Sequence, residues 1–348
     1  MLKKTNLYLL GLLCILQQVV LAQEIPDYTK VYHPVINHAE LRVVKGKYEE
    51  ALQAYEQAFA SVPSPFARDY YNAAICAVLL QDRRKTFNYL ENLVEKGVSL
   101  EYLEQQPVLD SLQETRKWRR FAKKYPKRRH KFDQKLNKEL RADLDELYAQ
   151  DQYFRQAKGG WRVHGDTIRK IEAANTLKLL NWIEEYGYPG EDLIGVADTL
   201  EQLPRFSIVI RRQTKARKGH DFTEVLMQAV QQGRMAPQPA AYLLDQQAGQ
   251  NKYGSRAYVK VNCSTCEEEE LGQIGDYLVM KISEEDQQKI NERREKLGLE
   301  PLDDYRRKIL FSTTDDRFKL NFTWSIMHYV VPSKEAAKVL LEGLTLKE

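Results

Sequence analysis

Three polar residues fall where a helical stripe of apolar side chains would otherwise continue. Leu136, Leu140, Leu144 and Leu147 recur at spacings of four, four and three, so Asp151 comes next on that line and Arg155 one turn further. Asn175 interrupts Ile168, Ile171, Leu179, Trp182 and Tyr186 in the same manner, and Asp245 stands between the small residues Ala241 and Ala248. A carboxylate turned toward an interior requires a partner, and Arg155 and Arg212 have the right charge. Two chemistries follow. Asp151 and Asp245 as acid and base, with Arg155 or Arg212 holding an anion, make a hydrolase-type site. The same side chains, joined by Gln152, Asn175, Arg212 and Tyr253, equally line a binding pocket. The spacing of Asp151 and Arg155 also fits an ordinary ion pair on an exposed helix, worth roughly a few tenths of a kcal/mol.

The remaining reactive side chains are sparse. Cys263 and Cys266 are followed by four glutamates, but no second pair completes a zinc site and no strand-helix-strand pattern frames a redox motif. A loop-stapling disulfide, or idle thiols, is the reading that remains. Cys76, among Ala73, Ala74, Ile75, Ala77 and Val78, reads as a small buried hydrophobe. His328, isolated among Met327, Tyr329 and Val330, reads as a packed side chain. No Ser-His-Asp order, phosphate loop or metal-ligand helix motif occurs, so neither metal nor cofactor is expected.

Residues 1–22 predict export. Lys3 and Lys4 precede an apolar run from Leu7 to Val20, which ends Leu21-Ala22 before Gln23. That order makes a cleavable signal peptide, and the run is too short for a stable span. Cys14 lies inside the run behind Leu13, which argues against lipidation. Without the two lysines the chain has 51 basic and 49 acidic residues, and this near-neutral balance gives no reason to expect nucleic acid as a partner. No later stretch approaches a membrane span, which places the expected mature chain in the periplasm or envelope of a bacterium.

From residue 23 to 131 the pattern is that of paired helices. Gly46, Tyr48, Ala51, Tyr55, Ala58 and Pro63 stand in one register, with Ala39 on a preceding helix near Pro34 to Lys45. This unit resembles a tetratricopeptide repeat, whose Gly turns the chain, whose small residues allow close approach and whose Pro ends the unit. A second unit is expected near Phe66 to Leu80 and Arg83 to Lys96, stopped by Gly97. There Thr86 and Leu93 replace the small residues, which predicts looser or slipped pairing. Leu103, Leu109, Leu112, Trp118 and Phe121 should cap the array. Ten of the sixteen residues from Arg116 to Lys131 are Lys or Arg; with Trp118, Phe121 and Tyr125 interleaved, this is the solvated face of a capping helix rather than a nucleic-acid patch. The resemblance implies a protein or peptide partner on the repeats.

Residues 132–309 form a second helical domain. Asp151, Gln152 and Arg155 behind Leu147, then Tyr186 to Pro189, Ala241 to Asp245, Tyr253 to Ser255, and Arg293 and Arg294 before Leu297 to Leu299 occur in one order. The segment resembles a bacterial family described only as domain of unknown function 6624, which implies no established reaction. Members carry a His in the helix that here holds Arg211 and Arg212, an Arg at Gln246 and a Gln at Asn251. A working site made of those residues would be depleted here. Alternation at Ala257 to Val261 and at Tyr277 to Ile282 predicts a small β-hairpin. In residues 310–348, a C-terminal extension, Phe318 to Trp324 reads as strand-like, and a helix is expected behind Ser333 with Gly343 at its end. The sequence therefore predicts a mainly α chain, a helical-hairpin repeat array followed by a second helical domain with a small β-hairpin. Its expected role is exported protein interaction or ligand binding, with hydrolysis at Asp151 and Asp245 as the alternative.

Overall fold

A computed structural model describes residues 26–196, 199–248, 251–263, 266 and 275–346. The expected signal peptide, Ser264, Thr265 and the four glutamates from Glu267 lie outside them. The fold is mainly α. After a short α1 (Tyr28–Val31), α2 (His33–Val44) and α3 (Tyr48–Ser61) make one hairpin, and α4 (Ala67–Leu79) and α5 (Arg83–Glu95) make a second that stacks against it. The small residues explain the close approach: Ala39, Ala51, Ala58, Ala73, Ala74 and Ala77 are completely buried. Gly46 turns the first hairpin at φ +68° with open space around it. Gly97 ends the second at φ +102°, where a Cβ would lie 2.6 Å from the Phe132 ring.

The second hairpin is not loose. Thr86 and Leu93 are both fully buried, and the Thr86 hydroxyl donates back to the Asp82 carbonyl at 2.8 Å, so a polar side chain fits where a small one was expected. Next come α6 (Leu100–Glu104), a 3-10 turn at Pro107–Leu109, α7 (Asp110–Gln113) and α8 (Arg116–Lys135). Leu103, Leu109, Leu112, Trp118 and Phe121 join the core of the array, and Thr115 caps α8 by accepting from the Trp118 amide. The basic residues of α8 lie mostly on its outer side.

The chain continues through α9 (Lys138–Gln156) and the long α10 (Gly160–Tyr186), then α11 (Glu191–Ile194), α12 (Ser207–Lys215), α13 (Thr223–Gln231) and α14 (Pro237–Ala248). Leu140, Leu144, Leu147 and Leu179 anchor the base of the α9–α10 hairpin in a second core. Leu136 only closes α8, so the leucine stripe begins at Leu140.

The expected β-hairpin is half of a larger sheet. β1 (Tyr258–Cys263) pairs antiparallel with β2 (Leu278–Met280); α15 (Glu284–Lys296) and α16 (Leu302–Ser312) follow. Then β3 (Ile326–Val331) joins β1 in parallel, and β4 (Leu344–Leu346), after α17 (Lys334–Glu342), joins β2 antiparallel. The order is β3-β1-β2-β4. Alternation divides the two faces: Tyr258 and Val279 pack with Ile290, Tyr305 and Ile309 from α15 and α16, while Val259, Val261 and Leu278 pack with Leu340 and Leu341 from α17. Ser333 caps α17, as its sequence predicts.

The tail corrects one expectation, since Phe318 to Trp324 is not a strand. This segment runs extended across helix α4. Asn72, fully buried, accepts from the Lys319 amide at 2.8 Å and donates to the Lys319 carbonyl at 3.2 Å. Arg68 donates to the carbonyls of Lys319 and Asn321, and Phe318 stacks on Tyr48 at 5.8 Å. Phe318 and Leu320 thereby enter the same core as the repeats. Ions also join the two parts. Lys308 of α16 sits buried between Glu40 of α2 and Glu300, Arg294 stands 3.7 Å from Glu300, and Asn37 donates to the Gly298 carbonyl at 2.8 Å.

Candidate functional site

Helices α9 and α12 bring the polar residues of the leucine stripe together. The Asp151 side chain is 2% exposed. Its Oδ2 accepts from Gln152 Nε2 at 2.7 Å and from Arg212 Nη2 at 3.4 Å, and Arg155 Nε lies 3.6 Å from Oδ1. Arg155 also bonds Glu172 of α10. The exposed i,i+4 pair is thus excluded: Asp151 is a buried carboxylate between two guanidinium groups. Asn175 is buried too, and its side chain donates to the Leu147 carbonyl at 3.2 Å, tying α10 to α9 rather than lining a pocket.

Asp245 belongs elsewhere. Its two oxygens accept from the amides of Tyr253 at 2.7 Å and Ser255 at 2.9 Å, so an expected arginine partner is replaced by backbone. That geometry fixes the turn into β1, where Gly254 takes φ +62°. Burial raises the Asp245 carboxyl pKa, and the hydrogen bonds from Ser255 and Tyr253 oppose the rise. Each aspartate is committed to its own network, and the acid-base pairing of Asp151 with Asp245 has no shared geometry.

A cleft of about 730 Å³ opens between α12, α14 and β3. Gln152 and Arg212 reach it, with Arg211, Arg205 and Arg256 beside them. On one wall a layered stack runs through the molecule: the Arg211 guanidinium lies 6.0 Å from the Tyr242 ring, Tyr242 is 4.5 Å from Trp324 at 14°, and Trp324 is 4.7 Å from Phe322 at 10°. Arg68, 4.0 Å from the Phe322 centroid, closes it from the repeat side. Among the described residues, the buried donors here without a partner include Arg211 Nε, Arg212 Nε and Trp324 Nε1. Lys215, on the same helix, has its ammonium pKa lowered by burial and by the nearby Arg211, Arg212 and Arg256. Cations packed this closely repel one another, and an anion among them relieves it.

The expected packing of His328 is overturned. It is exposed and lines this cleft from β3, the strand at one edge of the sheet. The adjoining pocket, near 390 Å³, is lined by Asp245, Gln246, Asn251 and Lys215, and the Gln246 amide and Asn251 Oδ1 are buried without partners. Gln246 and Asn251 therefore present hydrogen-bonding groups to a cavity. Tyr253 is half-buried and packs against the second core.

A third cavity of about 140 Å³ lies between the repeats and the second part, and its charged groups are engaged: Glu40 with Lys308, and Asp69 with the Tyr32 hydroxyl at 2.6 Å. Cys263 and Cys266 form a disulfide with Cα atoms 5.4 Å apart at the end of β1, while Cys76 is buried with its thiol pKa pushed up to about 12. Among the described residues no group of three His, Cys, Asp or Glu side chains is placed to hold a metal ion, and no helix is long and apolar enough to cross a membrane.

Sequence reasoning found Asp151, Gln152, Arg155 and Arg212. It missed Tyr242 and Trp324 as a wall, since only the tail's return brings Trp324 to α14. Arg256 had a local signal, a cation next to the Gly254-Ser255 turn, but nothing in its spacing pointed to Arg211. Comparison with family models, curated proteins and solved structures finds no match.

Proposed function

We propose that this chain is an exported ligand-binding protein of the bacterial envelope and that the cleft between α12, α14 and β3 captures an anionic ligand. The observation that carries this reading is that Arg211, Arg212 and Arg256 line one cleft, with unpartnered guanidinium nitrogens on Arg211 and Arg212 beside the Tyr242–Trp324 stack. Guanidinium groups bind phosphate or carboxylate through paired N–H donors, and the unpartnered Trp324 indole N–H adds a donor on the same wall. Binding is favoured over hydrolysis because Asp151 and Asp245 are separately committed. The repeats then serve as the platform on which the tail presents Trp324, their inner surface being covered by residues 318–322 of the chain itself.

Calorimetric titration at low salt with inorganic pyrophosphate and with citrate tests this. Saturable binding, quenching of Trp324 emission, and a loss of about ten- to a hundredfold in Arg211→Gln are expected, the scale of one charge-assisted contact. Failure of both anions to bind, or an unchanged affinity in Arg211→Gln and Arg256→Gln, removes the proposal.

A further inference from the structure

The α9–α10 hairpin extends past the body of the protein. Among the described residues between 148 and 178, Ile168 is the one buried apolar side chain, and it joins none of the apolar clusters to which Leu147 and Leu179 belong. The hairpin turns at Gly159 and Gly160, with φ of +87° and +44°. Around that turn Tyr153 is 70% exposed, Trp161 48% and Val163 65%. The basic residues Lys158, Arg162, Arg169 and Lys170 are exposed as well, against the single exposed acid Asp166 between 156 and 170. Trp161 lies 5.3 Å from the Arg155 guanidinium and 5.7 Å from that of Arg169, so its ring is held between cations at the turn.

We propose that this turn is a bilayer-contacting tip that settles onto an anionic lipid surface. Three features select that partner. Trp and Tyr are amphipathic rings that favour the headgroup level, Lys and Arg beside them answer lipid phosphates, and a lone valine adds shallow apolar insertion. An apolar protein groove would not match so many charges around so few apolar groups. Arg169 is paired with Asp166, and the remaining exposed cations Lys158, Arg162 and Lys170 give reversible, salt-sensitive attachment and not a permanent anchor. None of Tyr153, Lys158, Trp161, Arg162 and Val163 lines the anion cleft, so the test is independent of that site.

The full chain is sedimented with vesicles of equal parts phosphatidylglycerol and phosphatidylcholine, and with phosphatidylcholine alone. Association with the mixed vesicles, released by salt, is expected, with at least about tenfold weaker binding in Lys158→Glu/Arg162→Glu. A blue shift of emission on binding should vanish in Trp161→Phe. Both variants alter exposed side chains, and matching thermal melts show that folding is intact. No association with mixed vesicles, or equal association of the charge-reversed variant, overturns the proposal. So does concentration-dependent self-association that Trp161→Ser abolishes, since the occupant is then a second copy.

Discussion

Asp151 is the polar residue whose removal should cost most. With Asp151→Ala, Arg155 keeps Glu172, but Arg212 loses its carboxylate and Gln152 its acceptor. The contacts of 3.4 and 3.6 Å are long for ion pairs, so a loss of about 2 kcal/mol is expected, more than an exposed pair and less than a tight buried one. Urea unfolding with an unchanged slope checks it; a midpoint equal to that of the parent would contradict the buried network. Asp69 and His33 make a second residue-scale case. Burial pushes the Asp69 carboxyl up to about 7, with Glu40 adding to it, and holds the His33 imidazole down at about 3. Asp69 keeps a proton in the folded chain that it loses unfolded above about 3.8, so it makes stability fall as pH rises from there to about 7. His33 stays neutral where the unfolded chain would be protonated, so it makes stability rise from about 3 to 6.5. Removing the carboxylate should expose the histidine slope. Asp69→Asn is expected to gain on the parent by up to about 1.4 kcal/mol per pH unit between pH 4 and 6.5, read from urea midpoints across that range.

At the scale of elements, the weight falls on the tail segment that α4 holds. Asn72→Ala leaves the Lys319 N–H without an acceptor against a buried helix face, while Arg68 still donates to the Lys319 carbonyl, and the lost pairing costs roughly 1 to 3 kcal/mol. Asn72→Asp keeps an acceptor for the Lys319 amide but sets a buried carboxylate against the Lys319 carbonyl, so it should also destabilise; thermal melts of both variants decide the point. The helices themselves were legible. Gly46, Gly97, Ser333 and the alanine spacing carry local stop, cap and packing signals, and the elements lie where those signals put them. Strand pairing across long separations has no such local mark. The β1–β2 alternation was readable, but nothing near Ile326 says that it lies beside Tyr258, and the extended run from Phe318 looks like a strand because its apolar side chains alternate against helices instead of a sheet. The site was legible to the same degree: the residues on one helix stripe were found, and those delivered by another element were not.

For the molecule as a whole, the repeat array and the second part share buried charges. Glu40, Lys308, Glu300 and Arg294 form one chain of ionic contacts from α2 to α15, and breaking it leaves charges unpaired on both sides. Unfolding is therefore expected as a single transition. Emission from Trp118 in the array and Trp324 in the tail, each isolated by replacing the other tryptophans with Phe, should melt at the same temperature; a Trp118 signal that persists after Trp324 is lost would show the array standing alone.

The bond between Asn72 and Lys319 spans 247 residues of chain. At about 5 to 20 residues per second of synthesis, the array waits on the order of ten seconds to a minute for the segment that covers it. Throughout that interval Tyr48, Asn72 and the apolar groups around them face whatever surrounds the nascent chain. Pairings this distant form late and close slowly, so the birth of this protein includes a stage when its first-made helices are shaped but uncovered. Errors of assembly should concentrate there, as trapping of a neighbouring chain's tail in place of its own.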